Sequence, residues 1–159
     1  MTLYFLRHGD AGAPRSGDDD ARELSERGRE ALEAAAPLWR RLNLRPDVIV
    51  SSPLPRALQT AEIAAAAVGG SVEADDRLRP GADWSDFARA MTGHPDARRV
   101  MFVGHEPDLS SAIVHLTGAS SVRMRKGAIA CLEFYGTPEP GGGEIAWLID
   151  PDLYVAGEG

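Results

Sequence analysis

The chain has 159 residues, of which 43% are hydrophobic and one is cysteine, and its formal net charge is −7. That length suits a single domain over residues 1–159, which can bury roughly two-thirds of its unfolded surface without a disulfide or metal staple. The apolar content excludes a disordered chain, the acidic balance argues against a nucleic-acid partner, and no apolar run reaches membrane-spanning length.

Leu3–Leu6 is a short apolar run that reads as a buried strand, and it ends in Arg7-His8-Gly9. No basic region followed by an apolar core opens the chain, so the expected compartment is the cytoplasm. Gly12–Asp20 reads as a polar loop whose aspartates form a solvated acidic turn. Ser25 reads as the N-cap of a helix with Ala31, Leu32, Ala35, Leu38, Trp39 and Leu42 on its apolar side. Pro37 is expected to kink that helix, and Arg45-Pro46 to end it.

Asp47–Ser51 is a second strand. Ser52 follows as a candidate N-cap, with Pro53 at the first helical position and Arg56 in the first turn. Leu54, Leu58, Ala61, Ala65 and Val68 form the stripe of this helix, which Gly69-Gly70 ends. Val72–Ala74 is a weak strand, Asp75–Asp83 a loop and Trp84–Met91 a short helix. Arg99–Val103 is a clear strand running into Gly104-His105-Glu106-Pro107. Asp108 is the expected cap of the next helix, and Gly118 closes it. Val122–Arg125, Ala128–Phe134 and Ile145–Ile149 read as strands, the last two joined by the Pro/Gly run Thr137–Gly143. Cys131 reads as core packing rather than a redox group. Alternating strands and helices imply an α/β fold: a three-layer α/β/α sandwich on a mainly parallel central sheet, with terminal strands that can pair antiparallel.

Arg7 and His8, Arg56, and His105 thus stand at three strand ends or the helix starts that follow them, where open α/β sheets bind ligands. Phosphoryl transfer needs such a set. Two arginines supply bidentate forks, a helix start supplies backbone donors, and a neutral histidine can attack phosphorus in line. The second histidine can donate to an equatorial oxygen when protonated. Flanking arginines lower the pKa of His8 and keep it neutral near pH 7. A metal held by His8 and His105 is disfavoured, because the arginines repel a cation, and no cofactor is expected. His94 and His115 read as structural.

The motifs resemble those of the histidine phosphatase superfamily, whose fold is phosphoglycerate-mutase-like. Arg7-His8-Gly9 is similar to the signature around that family's nucleophilic histidine. Leu24-Ser25-Glu26-Arg27-Gly28 resembles the segment that opens its first helix. Ser51–Ala61 resembles the signature carrying its second phosphate arginine, and Gly104-His105 the one carrying its second histidine. The resemblance implies a catalytic set of His8, Arg7, Arg56 and His105, with Arg7, Gly9, Arg56 and His105 binding the phosphate.

One departure narrows the reading. Relatives with a built-in general acid follow Arg-Leu with a Glu two residues on, whereas here Arg77-Leu78 is followed by Arg79-Pro80 in a short segment. That form, together with Lys126-Gly127-Ala128 and Gly104–Asp108, resembles the SixA-like phosphohistidine phosphatases. The implied activity is removal of phosphate from phosphohistidine on a protein, such as a histidine phosphotransfer domain. Asp10, Asp83 and Glu106 are candidate weak proton donors, and any of them acting so would favour a phosphatase of small phosphate esters instead. The non-enzymatic alternative is a phosphate-binding module, against which His8 stands, since binding needs only the arginines.

Overall fold

The computed structural model describes residues 1–15 and 17–154. Six strands form one mixed sheet: β1 (Thr2–Arg7), β2 (Val48–Ser51), β3 (Ser71–Ala74), β4 (Arg99–Gly104), β5 (Ile129–Glu133) and β6 (Glu144–Ile149). Their order across the sheet is β3-β2-β4-β1-β5-β6. The first four in that order run parallel, while β5 is antiparallel to both β1 and β6.

Among the described residues four α-helices cover the sheet: α1 (Glu26–Arg41), α2 (Pro55–Val68), α3 (Trp84–Met91) and α4 (Asp108–Thr117). Alternate residues of the central strands point to opposite faces. Leu3, Phe5, Val100 and Phe102 pack with Phe87 of α3 and Leu109 and Ile113 of α4. Tyr4, Leu6, Met101 and Val103 pack with Leu32 and Trp39 of α1 and Ala57 and Ala61 of α2. The result is the α/β/α sandwich that the alternating pattern implies. Cys131 is buried in the second cluster, and burial pushes its thiol up to about 12, so it stays protonated. No helix among the described residues is long and apolar enough to cross a membrane.

Several element boundaries differ from the sequence reading. α1 runs unbroken through Pro37. Pro37 is exposed, and the buried Leu32, Ala35 and Trp39 flank it, so packing holds both halves of the helix on one line. The helix stops at Arg41, before Arg45-Pro46, because Asn43 adopts the left-handed conformation that ends helices. α2 begins at Pro55 with Leu54 as its cap position, two residues later than expected. Asp108 is the first residue of α4 rather than its cap, and its carboxylate instead accepts from the N–H groups of Gly81 and Ala82. Val122–Arg125 is not a strand. β4 and β5 flank β1 and β6 pairs with β5, and the segment joins neither outer edge of the sheet, at β3 or at β6.

Three strand ends follow from this topology. β4 lies between β1 and β2 and runs parallel to both, so His8, Ser52 and His105 all emerge at one end of the sheet. Arg7 pairs in register with Gly104, which sets His8 beside His105.

Candidate active site

His8 and His105 lie with ring centroids 5.2 Å apart. That gap is close to the spacing of about 4.8 Å between neighbouring strands, because each ring sits one residue past the end of a paired strand. Both are buried. The His8 main-chain N–H donates to Gly104 O at 3.1 Å and ties the two strand ends together.

The His8 side chain is oriented by its own neighbour. Its Nδ1 lies 2.7 Å from Gly9 O, and a carbonyl can only accept, so Nδ1 carries the proton. Nε2 is therefore left with a free lone pair. Burial pulls the His8 imidazole down to about 4, and Arg56, Arg7 and Lys126 push the same way. The Gly9 bond opposes them and does not prevail. His105 is lowered to about 3, first by burial and then by His8, Arg56 and Arg7. Near neutral pH both rings are uncharged.

The arginines form the positive part of the site. Arg7 Nη1 donates to Met124 O at 2.9 Å, and its buried Nε has no partner. Arg56 is 5% exposed, in the first turn of α2, and its Nε is likewise unpartnered. The Arg56 Nη1 donates to Asp19 O at 3.0 Å, and Nη2 lies 3.7 Å from the Asp19 carboxylate. Asp19 also pairs with Arg22 at 3.2 Å, so the acidic loop is a flank of the site and not merely a solvated turn. Two guanidinium groups beside two neutral imidazoles can hold an anion and offer it a nitrogen nucleophile.

The remaining predicted residues are placed as follows. Gly9, expected among the phosphate-binding residues, has both backbone groups engaged. Its N–H donates to Thr60 Oγ1 at 3.2 Å, and its carbonyl accepts from His8. What it supplies is room, since a Cβ there would lie 2.8 Å from Leu32 Cδ1. Asp10 accepts from Ser25 Oγ at 2.8 Å and faces Lys126 Nζ at 3.4 Å. These contacts, Ser25 first, hold its carboxyl below the usual range. Asp83 is the N-cap of α3 in a reciprocal capping box with Asp86, and the Ser85 hydroxyl and Asp86 N–H lower it too. Glu106 accepts from Ser110 N–H at 2.8 Å in the first turn of α4, and its charge acts on Arg7. His94 pairs with Glu73 at 2.9 Å, and His115 is exposed on α4. Among the described residues no three His, Cys, Asp or Glu side chains gather as a metal-ligand set.

Sequence reasoning missed two participants. Ser52, read as a helix cap, is fully buried and lies 2.8 Å from His105 Nε2. Thr60 donates to Arg56 O at 2.7 Å and accepts from Gly9, joining α2 to the loop after His8. Both lie inside the Ser51–Ala61 stretch, where polar residues in an otherwise apolar pattern were the available signal. A cleft of about 620 Å³ opens to one side of the histidine pair. Arg7, Gly9, Arg27, Arg125 and Lys126 are among its walls, while His8, Arg56 and His105 are not.

The profile of the histidine phosphatase superfamily (branch 1) matches residues 3–89, more than half of the chain. The chain belongs to the histidine phosphatase superfamily. An uncharacterized protein of a Picosynechococcus species is 39% identical to this histidine phosphatase over 115 residues, covering 69% of this chain and 68% of that one. The protein histidine phosphatase SixA complexed with tungstate superposes with a TM-score of 0.83 at 24% identity, covering 96% of this chain and 99% of that chain. A mycobacterial glucosyl-3-phosphoglycerate phosphatase complexed with VO3 superposes with a TM-score of 0.69 at 23% identity, covering 92% and 97%. The fold of this histidine phosphatase is thus phosphoglycerate-mutase-like, and SixA is the nearer of these two in shape.

Proposed function

We propose that this histidine phosphatase removes phosphate from phosphohistidine on a protein, such as a histidine phosphotransfer domain, in the cytoplasm. Arg7 and Arg56 hold the phosphoryl oxygens, and Nε2 of His8 attacks phosphorus in line. The Nε2–P bond forms as the bond from phosphorus to the substrate's imidazole nitrogen breaks, and the departing imidazole takes up a proton. Water then attacks the phosphorylated His8, releasing phosphate and restoring the neutral ring.

The observation that carries the substrate class is the state of the three candidate proton donors. Asp10 and Asp83 are held ionised by hydrogen bonds, and Glu106 is engaged by the Ser110 N–H. Pro80, which can neither ionise nor donate, stands where acid-bearing relatives have Glu. General-acid help is typically worth about 10²–10⁴-fold, and most for an alkoxide that leaves poorly. A phosphorylated imidazole leaves as a nitrogen that can carry its own proton. The likeness to SixA over nearly the full length of both chains supports the same choice.

The test is kcat/KM for a phosphohistidine protein beside an ester series of rising leaving-group pKa. Expected are rapid P–N hydrolysis, modest aryl phosphate turnover, poor alkyl phosphate turnover and a steep dependence on leaving-group pKa. A flat series, with sugar or glycerate phosphates matching the phosphoprotein, would establish a small-ester phosphatase instead. A chain that binds phosphate and turns over nothing would be a binding module. In an active enzyme, phosphate trapped on a residue other than His8 would refute the nucleophile.

A further inference from the structure

We propose that Ser52 is a positioning residue that fixes the tautomer of His105, so that His105 offers Nδ1–H to the phosphoryl group while remaining neutral. This deepens the phosphatase reading and rests on it for the identity of the group that Nδ1–H meets.

Protons and lone pairs around one buried oxygen decide the tautomer. Ser52 Oγ has one hydrogen to give and two lone pairs to offer. Leu54 N–H points at it from 3.3 Å and occupies a lone pair. His105 Nε2 lies 2.8 Å away. Ser52 is fully buried, so its hydroxyl proton needs a protein acceptor. The Ser52 carbonyl accepts the Ser51 hydroxyl at 2.9 Å and makes no bond with the Ser52 hydroxyl. Among the described residues, His105 Nε2 is the acceptor that remains. The opposite direction, Nε2–H into Oγ, would give that oxygen two incoming hydrogens and strand its own proton in a dry site. Nε2 therefore accepts, and the ring proton of neutral His105 sits on Nδ1.

Nδ1 of His105 makes no hydrogen bond among the described residues, so it is the nitrogen left for a ligand. His8 is held the other way round, with Nδ1 committed to Gly9 O and Nε2 open. The protein thus occupies one nitrogen on each ring and leaves opposite functions exposed: a lone pair on His8 and a proton on His105. Electrostatics gives this arrangement its purpose. The charged and titratable groups acting on His105 are His8, Arg56, Arg7 and Asp19, and three of these four oppose a second proton on the ring. A donor that depended on imidazolium would be scarce there. A donor made by choosing the tautomer needs no second proton, which replaces the expectation that His105 acts when protonated.

The experiment uses full-length protein labelled with 15N at histidine. Long-range 1H–15N correlation at neutral pH reads directly which ring nitrogen of His105 bears the proton. The expected result is protonated Nδ1 and bare Nε2 in the wild type. In Ser52→Ala the proton redistributes toward Nε2, and kcat on an aryl phosphate falls on the order of 10-fold with KM nearly unchanged, by analogy with partners that orient metal-bound imidazoles. Ser52→Thr keeps the hydroxyl and restores both the tautomer and most of kcat.

Wild-type His105 carrying its proton on Nε2 would overturn the proposal, and because no variant is involved, misfolding cannot blur that result. Ser52→Ala with tautomer and kcat both unchanged would overturn it as well. A wild-type chain that shows the Nδ1–H signal and turns over no phosphate compound would refute the proposed function while supporting the Ser52 assignment.

Discussion

Gly28 should be the least replaceable residue outside the histidine and arginine set, and Gly28→Ala shows why. Gly28 is in the first turn of α1, and its N–H donates to the capping Ser25 Oγ at 2.9 Å. A Cβ built there would lie 2.2 Å from Asp10 O and 2.9 Å from Asp10 N and C. The first distance is more than 1 Å short of ordinary contact, and the atoms struck are backbone that cannot rotate away. Nor can the two segments drift apart freely, because Ser25 N–H donates to the same Asp10 O at 2.9 Å and Ser25 Oγ donates to the Asp10 carboxylate. Overpacking typically costs about 1–3 kcal/mol, and the helix propensity gained by Ala over Gly returns about 1 kcal/mol at most.

Because the struck atoms are main chain, the upper part of that range applies, and a net loss of about 2 kcal/mol should lower Tm by about 4–8 °C. Asp10 is two residues from His8, so an opening of about 1 Å there should cost on the order of 10²-fold in kcat. Thermal melts and aryl phosphate kinetics read both effects. Gly12→Ala, where a Cβ meets nothing within 4 Å, is the control and should change neither. A Gly28→Ala enzyme with wild-type Tm and kcat would refute the close-approach argument.

Three further expectations can be checked independently. Asp19→Ala removes an exposed carboxylate from Arg56, and since such pairs are worth about 0–1 kcal/mol, vanadate should bind up to about fivefold tighter; weaker binding by isothermal titration would contradict the competition. Folding holds His8 and His105 below the ordinary imidazole value of 6.5, to about 4 and about 3, so the unfolded chain binds more protons between those limits. Stability should therefore be fully present above about pH 6.5 and fall as pH drops toward 4, which urea midpoints across that range would show; a flat profile would contradict it. Activity should survive exhaustive EDTA while vanadate inhibits, because the arginines carry the charge that a divalent ion carries elsewhere. Loss in EDTA, restored by added metal, would overturn this.

The strand-end set was legible because its signals are local. An apolar run, then Arg7-His8, then Gly9 names both the strand and the end that carries the candidate site, and the same logic holds for Gly104-His105. What escaped depends on distant partners. Ser52 has the local look of a helix cap, and only the neighbouring position of β4 turns its hydroxyl toward His105. Asp108 has the local look of a cap for the same reason, yet its carboxylate serves the Gly81–Ala82 backbone. Val122–Arg125 has strand composition, but a strand needs a partner, and pairing is a property of the whole sheet. Pro37 breaks helices in isolation, and here the burial of Trp39 outweighs it.

The position of β1 in the sheet also has a consequence for biosynthesis. Thr2–Arg7 is made before the other five strands of this sheet, yet both of its neighbours come from position 99 onward. At roughly 5–20 residues per second, its four buried apolar residues wait roughly 5–20 s before β4 is translated. An unpaired apolar strand is a template for pairing with other chains. His8, the proposed nucleophile, therefore rides on a segment exposed to chaperones and to aggregation on the ribosome. A nascent chain released before β5 is complete should be both inactive and sticky, and the gap between histidines fixed by β1 and β4 closes only when the long-range pairing of Thr2–Arg7 with Arg99–Gly104 has formed.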